Sequence, residues 1–211
     1  MLLDADDSQL VLVDYQARLM PVIFENKIVI ANAVRLARMA TLLEVPVWGT
    51  AQNLEKLGPN VAEVDAAIEA AGGKTLSKMH FSAVTNGLGD WLRPPAQKQP
   101  ARAPQGNARS LPKHLQRQQH DEEPHGRNTI VIAGCEAHVC LMQTALDLLE
   151  EDYDVWVVTD ACSSRTERNR DAAFDRLAGN GAELLTTEMV AFEWLRTAEH
   201  PAFKNLHALI K

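Results

Sequence analysis

A parallel α/β sheet carrying a helix layer on each face is the fold this sequence predicts. Three observations lead there. Short apolar runs rich in Val, Leu and Ile recur along the chain. Amphipathic stretches separate them. Most runs stop at a polar or charged residue. Strands that alternate with helices pair in parallel through right-handed crossovers, so both faces of the sheet become covered.

The elements follow in order. "LVLV" at 10–13 is an apolar run that stops at Asp14, as a buried strand does. From Asn26 to Leu43 the positions Ile30, Val34, Ala37 and Leu42 return at roughly helical spacing. "VPVWGT" at 45–50 is the second strand. "GPNVAEVDAAIEAAGG" is a helix, with Pro59 near its start and Gly72 and Gly73 closing it. "KTLSK" at 74–78 is a third strand and "TIVIAG" a fourth, the latter followed by a helix over about 138–150. "YDVWVVTD" at 153–160 is the fifth strand, with a helix at 167–179 closed by "GNG". "AELLTT" is the sixth, and "EMVAFEWLR" begins another helix. Together they predict a three-layer α/β/α arrangement around a six-stranded parallel sheet.

One stretch breaks this rhythm. Residues 93–127 hold six of the ten prolines and seven basic residues, with almost nothing to build a core. The stretch reads as a loop insertion into a single domain spanning 1–211. A tolerated surface insertion is the plain interpretation; a lid or partner-binding arm is the functional one.

Composition narrows the function. A net charge of −7 argues against a nucleic-acid surface. No apolar run approaches the ~20 residues of a membrane helix. The N-terminus carries acids where an export signal carries bases. Three cysteines do not make a disulfide framework, and a reducing cytoplasm is the simplest compartment.

In an open parallel sheet, ligands bind beyond the carboxyl ends of the strands. Asp14 closes the first strand, Lys78 closes the third, and Cys140 lies in the first turn of the helix after the fourth. Each alone has a plain structural explanation. Their convergence at one sheet edge is what points to chemistry. Cys140 at a helix N-terminus sits where free N–H groups and the macrodipole favour a thiolate, and a nearby lysine adds to that. Cys135 and Cys162 read as packing. Zinc-like spacing is absent around Cys135, His138 and Cys140, so no metal site is expected. C-x4-C is not the spacing of a redox pair.

The stretches "LVLVDYQARLMPVI", "LLEVPVWGTAQNLEKLGPNVAEV", "LSKMHFSA", "IAGCEAHVCLMQTALDLL", "VWVVTDACSSR" and "HPAFKNLHALIK" resemble the isochorismatase-like cysteine hydrolase superfamily. Within it they are most similar to the branch called isochorismatase domain-containing proteins. The resemblance covers nearly the whole chain outside the insertion. It implies a Rossmann-like six-stranded parallel sheet and a catalytic set of Asp14, Lys78 and nucleophile Cys140. It also implies a cis Cys135–Glu136 peptide and an oxyanion hole from the N–H groups of Glu136 and Cys140. Homo-oligomerisation is a further implication.

Departures from relatives narrow the substrate. The place where nicotinamidases carry an Asp-x-His metal motif reads "WGTAQNLEKLGP" here, so no metal or other cofactor is expected. Isochorismatases proper typically lack cysteine at the nucleophile position; Cys140 is present, so isochorismate is not the expected substrate. The expectation is a cysteine amidohydrolase acting on a small-molecule amide, with Gln16, Phe81 and His138 as candidate substrate-binding residues. The competing readings are a silent scaffold of the same fold, or a thiol redox sensor in which Cys135 or Cys162 resolves Cys140.

Overall fold

The computed structural model describes residues 2–93 and 126–211. Six strands form one sheet: β1 (Ser8–Val13), β2 (Val47–Gln52), β3 (Lys74–Lys78), β4 (Thr129–Gly134), β5 (Asp154–Val158) and β6 (Glu183–Leu185). Their order is β3-β2-β1-β4-β5-β6, and every pairing is parallel. This is the doubly wound order, in which the direction of winding reverses between β1 and β4. The helices are α1 (Asn26–Leu42), α2 (Leu54–Leu57), α3 (Ala62–Ala70), α4 (Leu88–Leu92), α5 (Met142–Glu150), α6 (Glu167–Gly179), α7 (Thr187–Leu195) and α8 (Phe203–Ile210). α1 packs with α3, α7 and α8, while α5 packs with α6.

The central strands explain their own placement. β1 and β4 are buried at every position, and their largely apolar runs, residues 10–13 and 130–133, take the middle of the sheet. At their carboxyl ends the two backbones approach closely. A Cβ on Gly134 would lie 2.3 Å from the carbonyl oxygen of Val13, so only glycine fits there. β6 is shorter than expected because Thr186 leaves the strand to cap α7, its side chain accepting from the Met189 amide.

Two expectations need correction. The buried stripe of α1 is Val29, Ala33, Leu36, Ala37 and Ala40. Ile30 and Val34 are only partly buried, and Leu42 is exposed. A helix covered on its flank by α8 spreads its apolar residues beyond the sheet-facing stripe, which blurs the register visible in sequence. The helix after β4 also starts differently: residues Ala137–Leu141 form a π-helical turn before α5.

Residues 94–125 of the expected insertion lie outside the described residues. Its flanks belong to the domain. The Gln9 side-chain amide donates to the carbonyls of both Leu92 and Arg127, each at 3.0 Å. Arg93 stacks over the Tyr153 ring, and Arg127 donates to the Ser8 carbonyl. Among the described residues no helix is long and apolar enough to cross a membrane.

Candidate active site

The site sits where the winding reverses. β1 delivers Asp14, β3 delivers Lys78, and the π-helical turn after β4 delivers Cys140. Asp14 ends its strand with φ of 54°, a left-handed conformation uncommon outside glycine. Its amide continues the ladder, donating to the Thr50 carbonyl on the neighbouring strand at 3.3 Å.

Asp14 and Lys78 form an ion pair at 2.7 Å, with both side chains fully buried. Such a pair survives burial only if the remaining donors and acceptors are satisfied. The other carboxylate oxygen of Asp14 accepts from the Thr50 hydroxyl at 2.6 Å. Lys78 Nζ also donates to Gln52 Oε1 at 2.8 Å, the Phe81 carbonyl at 3.0 Å and the His80 carbonyl at 3.4 Å.

Cys140 follows β4, which pairs with β1 in the sheet, and both charges of the ion pair bear on its thiol. Burial pushes its thiol up to about 12, the Asp14 carboxylate adds to the rise, and Lys78 opposes it. A resting thiolate was expected from the helix terminus and the lysine. In the folded site other influences oppose that: Cys140 is 6% exposed, and desolvation and the carboxylate push its thiol up against the lysine. Its carbonyl accepts from the Thr144 hydroxyl, which in turn accepts from the Ala83 amide. The nucleophile's turn is thereby tied to the loop that follows Lys78.

The Cys135–Glu136 peptide is cis. The Glu136 amide donates to no acceptor among the described residues. Its carboxylate takes two hydrogen bonds from Arg165, through the backbone amide at 3.0 Å and Nε at 2.9 Å.

The three candidate substrate-binding residues separate. Gln16 is fully buried, with Oε1 accepting from the Gln52 amide and Nε2 donating to the carbonyls of Gln52 and Gly58. It braces the loops, with its side-chain amide engaged by backbone groups rather than open to the surface. His138 has both ring nitrogens engaged, Nδ1 with the Ser164 hydroxyl at 2.9 Å and Nε2 with Asn169 at 3.3 Å. Phe81 is half exposed beside Met79 in the loop after Lys78, so its ring is available to a ligand. Gln52 and Thr50 escaped the sequence reading. Both are polar residues within β2, and the only signal was that polar side chains end an otherwise apolar central strand.

Cys135 and Cys162 are buried, and burial pushes both thiols up, Cys162 to about 12. All three cysteines are free. Among the described residues no cluster of His, Cys, Asp or Glu is placed to hold a metal ion. Two surface grooves lie between α1, α3 and α8, lined by residues such as Val34, Arg38 and Leu209, and hold none of the site residues.

A doubly wound α/β sheet, with a buried carboxylate–lysine pair facing a cysteine at its switch point, defines the class. Comparison with known proteins then places the chain. The isochorismatase domain model matches residues 111–189. Isochorismatase domain-containing protein 2 of Rattus norvegicus is 31% identical over 206 residues, covering 98% of this chain and 82% of that protein. The secreted isochorismatase effector Isc1 of Phytophthora sojae is 33% identical, covering 89% and 77%. Among solved structures, the MAR1 ribonuclease of Caenorhabditis elegans superposes with a TM-score of 0.81 at 27% identity, covering 100% of this chain and 92% of that one. The YcaC gene product of Escherichia coli, described as an octameric hydrolase of unknown specificity, gives 0.73 at 26%, covering 99% and 95%. The chain belongs to the isochorismatase domain family.

Proposed function

We propose that this protein is a metal-independent cysteine hydrolase that cleaves a small amide through a thioacyl-enzyme intermediate. One observation carries the reading: a fully buried Asp14–Lys78 ion pair stands at the sheet edge where the turn after β4 also places Cys140. A buried ion pair is weak as a stabilising device. Beside a nucleophile, it supplies a proton acceptor and a fixed counter-charge.

The steps follow from where the protons sit. In this reading Cys140 starts as the thiol and Asp14 as its proton acceptor. As sulfur attacks the amide carbonyl, Asp14 accepts the thiol proton, and Lys78 stabilises the charge that shifts across the site. The carbonyl oxygen becomes an oxyanion, which the N–H groups of Glu136 and Cys140 receive. The C–N bond breaks as Asp14 returns the proton to the leaving nitrogen, and the acyl group stays on sulfur as a thioester. Asp14 then takes a proton from water, whose oxygen attacks the thioester. The acid departs and the thiol is restored. The slight exposure of Cys140 favours a small substrate, and Phe81 at the rim gives it an apolar contact. Assembly into a homo-oligomer is part of the proposal, on the example of the octameric E. coli relative.

The test is ammonia release from a panel of small primary amides, run with wild type and Cys140→Ala. Turnover by wild type that disappears in the variant supports the proposal; turnover that survives in Cys140→Ala overturns it. An RNA oligonucleotide in the same panel covers the activity carried in the worm relative's name, and its cleavage without amide turnover would replace the present reading.

A further inference from the structure

Lys78 reaches its place on a flexible four-carbon stem, so something must hold the ammonium where it acts. An ammonium has three N–H donors and no acceptor. The three shortest contacts of Nζ, to Asp14 Oδ2, Gln52 Oε1 and the Phe81 carbonyl, account for them. Lys78 therefore acts on Cys140 mainly as a held positive charge. Two of its three principal acceptors are obligatory parts of other structures: Asp14 is the carboxylate itself, and the Phe81 carbonyl is backbone. Gln52 is the side chain whose amide is given to this task.

Gln52 is itself held in a single orientation. Its Nε2 donates to the Met79 carbonyl at 2.7 Å, so its oxygen is the end that faces the ammonium. The flipped amide would set an NH2 group against an ammonium and an oxygen against a carbonyl. Its backbone is clasped by Gln16, which accepts from the Gln52 amide at 2.8 Å and donates to the Gln52 carbonyl at 2.9 Å. The Asn53 amide then donates to the Lys78 carbonyl at 2.8 Å, locking the end of β2 to the end of β3. A buried amide with every group engaged is rigid, and rigidity is what a positioning group needs.

We propose that Gln52 is a positioning residue for the hydrolytic reaction, its amide oxygen fixing the Lys78 ammonium against Asp14 and beside the Cys140 thiol. This rests on the reading of Cys140 as nucleophile. Without that acceptor the ammonium keeps Asp14, the Phe81 carbonyl and the longer contact to the His80 carbonyl. One of its three principal contacts is gone, so it sits less firmly beside the thiol and favours the sulfur's ionisation less.

The test needs no substrate. The rate of Cys140 alkylation by iodoacetamide is measured from pH 7 to 10 in wild type, Gln52→Met and Lys78→Met, with the Cys140 peptide followed by mass. Gln52→Met should slow alkylation about threefold to tenfold at each pH, the range expected for one lost hydrogen bond of ordinary strength, and move the profile to higher pH. Lys78→Met should slow it further. Gln52→Asn, which keeps an amide in the polar site but withdraws the oxygen by one methylene, gives the same reading if Gln52→Met does not fold. An unchanged profile in the Gln52 variants, with Lys78→Met slowed, overturns the role of Gln52 alone. A Lys78→Met profile identical to wild type overturns the underlying account of the site. Faster labelling of all three cysteines in a Gln52 variant reports loosened packing and also counts against positioning.

Discussion

Asp14→Asn should raise the reactivity of the cysteine while removing the activity that depends on it. Asp14 is fully buried and accepts from Lys78 at 2.7 Å and from Thr50 at 2.6 Å. Asparagine keeps the shape: its oxygen can face the ammonium and its NH2 the Thr50 hydroxyl. The charge is gone, so Lys78 is left in a dry site without its partner. Breaking a buried pair costs about 3–5 kcal/mol, which for a chain of this size lowers the melting temperature by about 6–20 °C. At the thiol the effect has the opposite sense. Asp14 is the largest contributor after burial to the rise of Cys140 to about 12, and Lys78 opposes it. Removing the carboxylate leaves the lysine unopposed, so the thiol titrates lower. Each unit of that fall multiplies the thiolate fraction about tenfold. Iodoacetamide labelling of Cys140 at pH 8, followed by peptide mass alongside Cys135 and Cys162, should therefore be about tenfold faster or more in the variant. Amide hydrolysis should fall by about 100-fold or more, the usual loss of a general base. Labelling and hydrolysis that fall together, or a variant that hydrolyses at the wild-type rate, would refute the assignment of Asp14.

Stability should decline in alkali. Cys140 and Cys162 both rise from 9.0 to about 12 on folding, so above pH 9 the unfolded chain releases protons that the folded chain retains. Their contribution is complete below pH 9 and is lost as pH rises toward 12, at about 1.4 kcal/mol per pH unit for each cysteine. Melting temperatures from pH 8.5 to 10.5 should fall, and Cys162→Ala should flatten the slope; an unchanged slope would show that its ionisation is not coupled to folding. Replacing residues 94–125 with a short Gly/Ser loop should shift the melting temperature by no more than a few degrees, because Gln9 already ties the two flanks together. A large drop in a thermal scan would show that the segment contributes to packing. A chelator should leave amide turnover unchanged; loss on chelation with recovery on adding zinc, iron or manganese would contradict metal independence.

The strands were legible because central parallel strands are buried on both faces, so β1 shows the apolar run 10–13 before Asp14 and β4 the run 130–133. Asp14 and Lys78 stood out for the same reason, each the charged residue that ends a strand. Gln52 ends β2 in the same way, yet an uncharged amide at a strand end has no distinguishing mark, and its partner Lys78 is 26 residues away. The state of Cys140 was also hidden. Position in the chain suggested a helix-terminal thiolate, whereas the folded site buries the residue, and burial with the Asp14 carboxylate pushes the thiol up. Sequence reports which residues meet at a sheet edge more readily than how dry that edge becomes. α8 was missed as an element because its buried anchor, Leu206, is a single residue in a short segment, too little for a periodic signal.

The central claim is that Cys140 carries the acyl group. Wild-type protein should be mixed with an amide found active in the ammonia-release panel, quenched in acid within one turnover and digested. The peptide containing Cys140 should carry the mass of the substrate acyl group, sensitive to hydroxylamine as a thioester is, and the adduct should be absent from the Cys140→Ala protein. Rapid turnover with no adduct in the pre-steady state, or an adduct on Cys135, Cys162 or any other residue, would contradict the account.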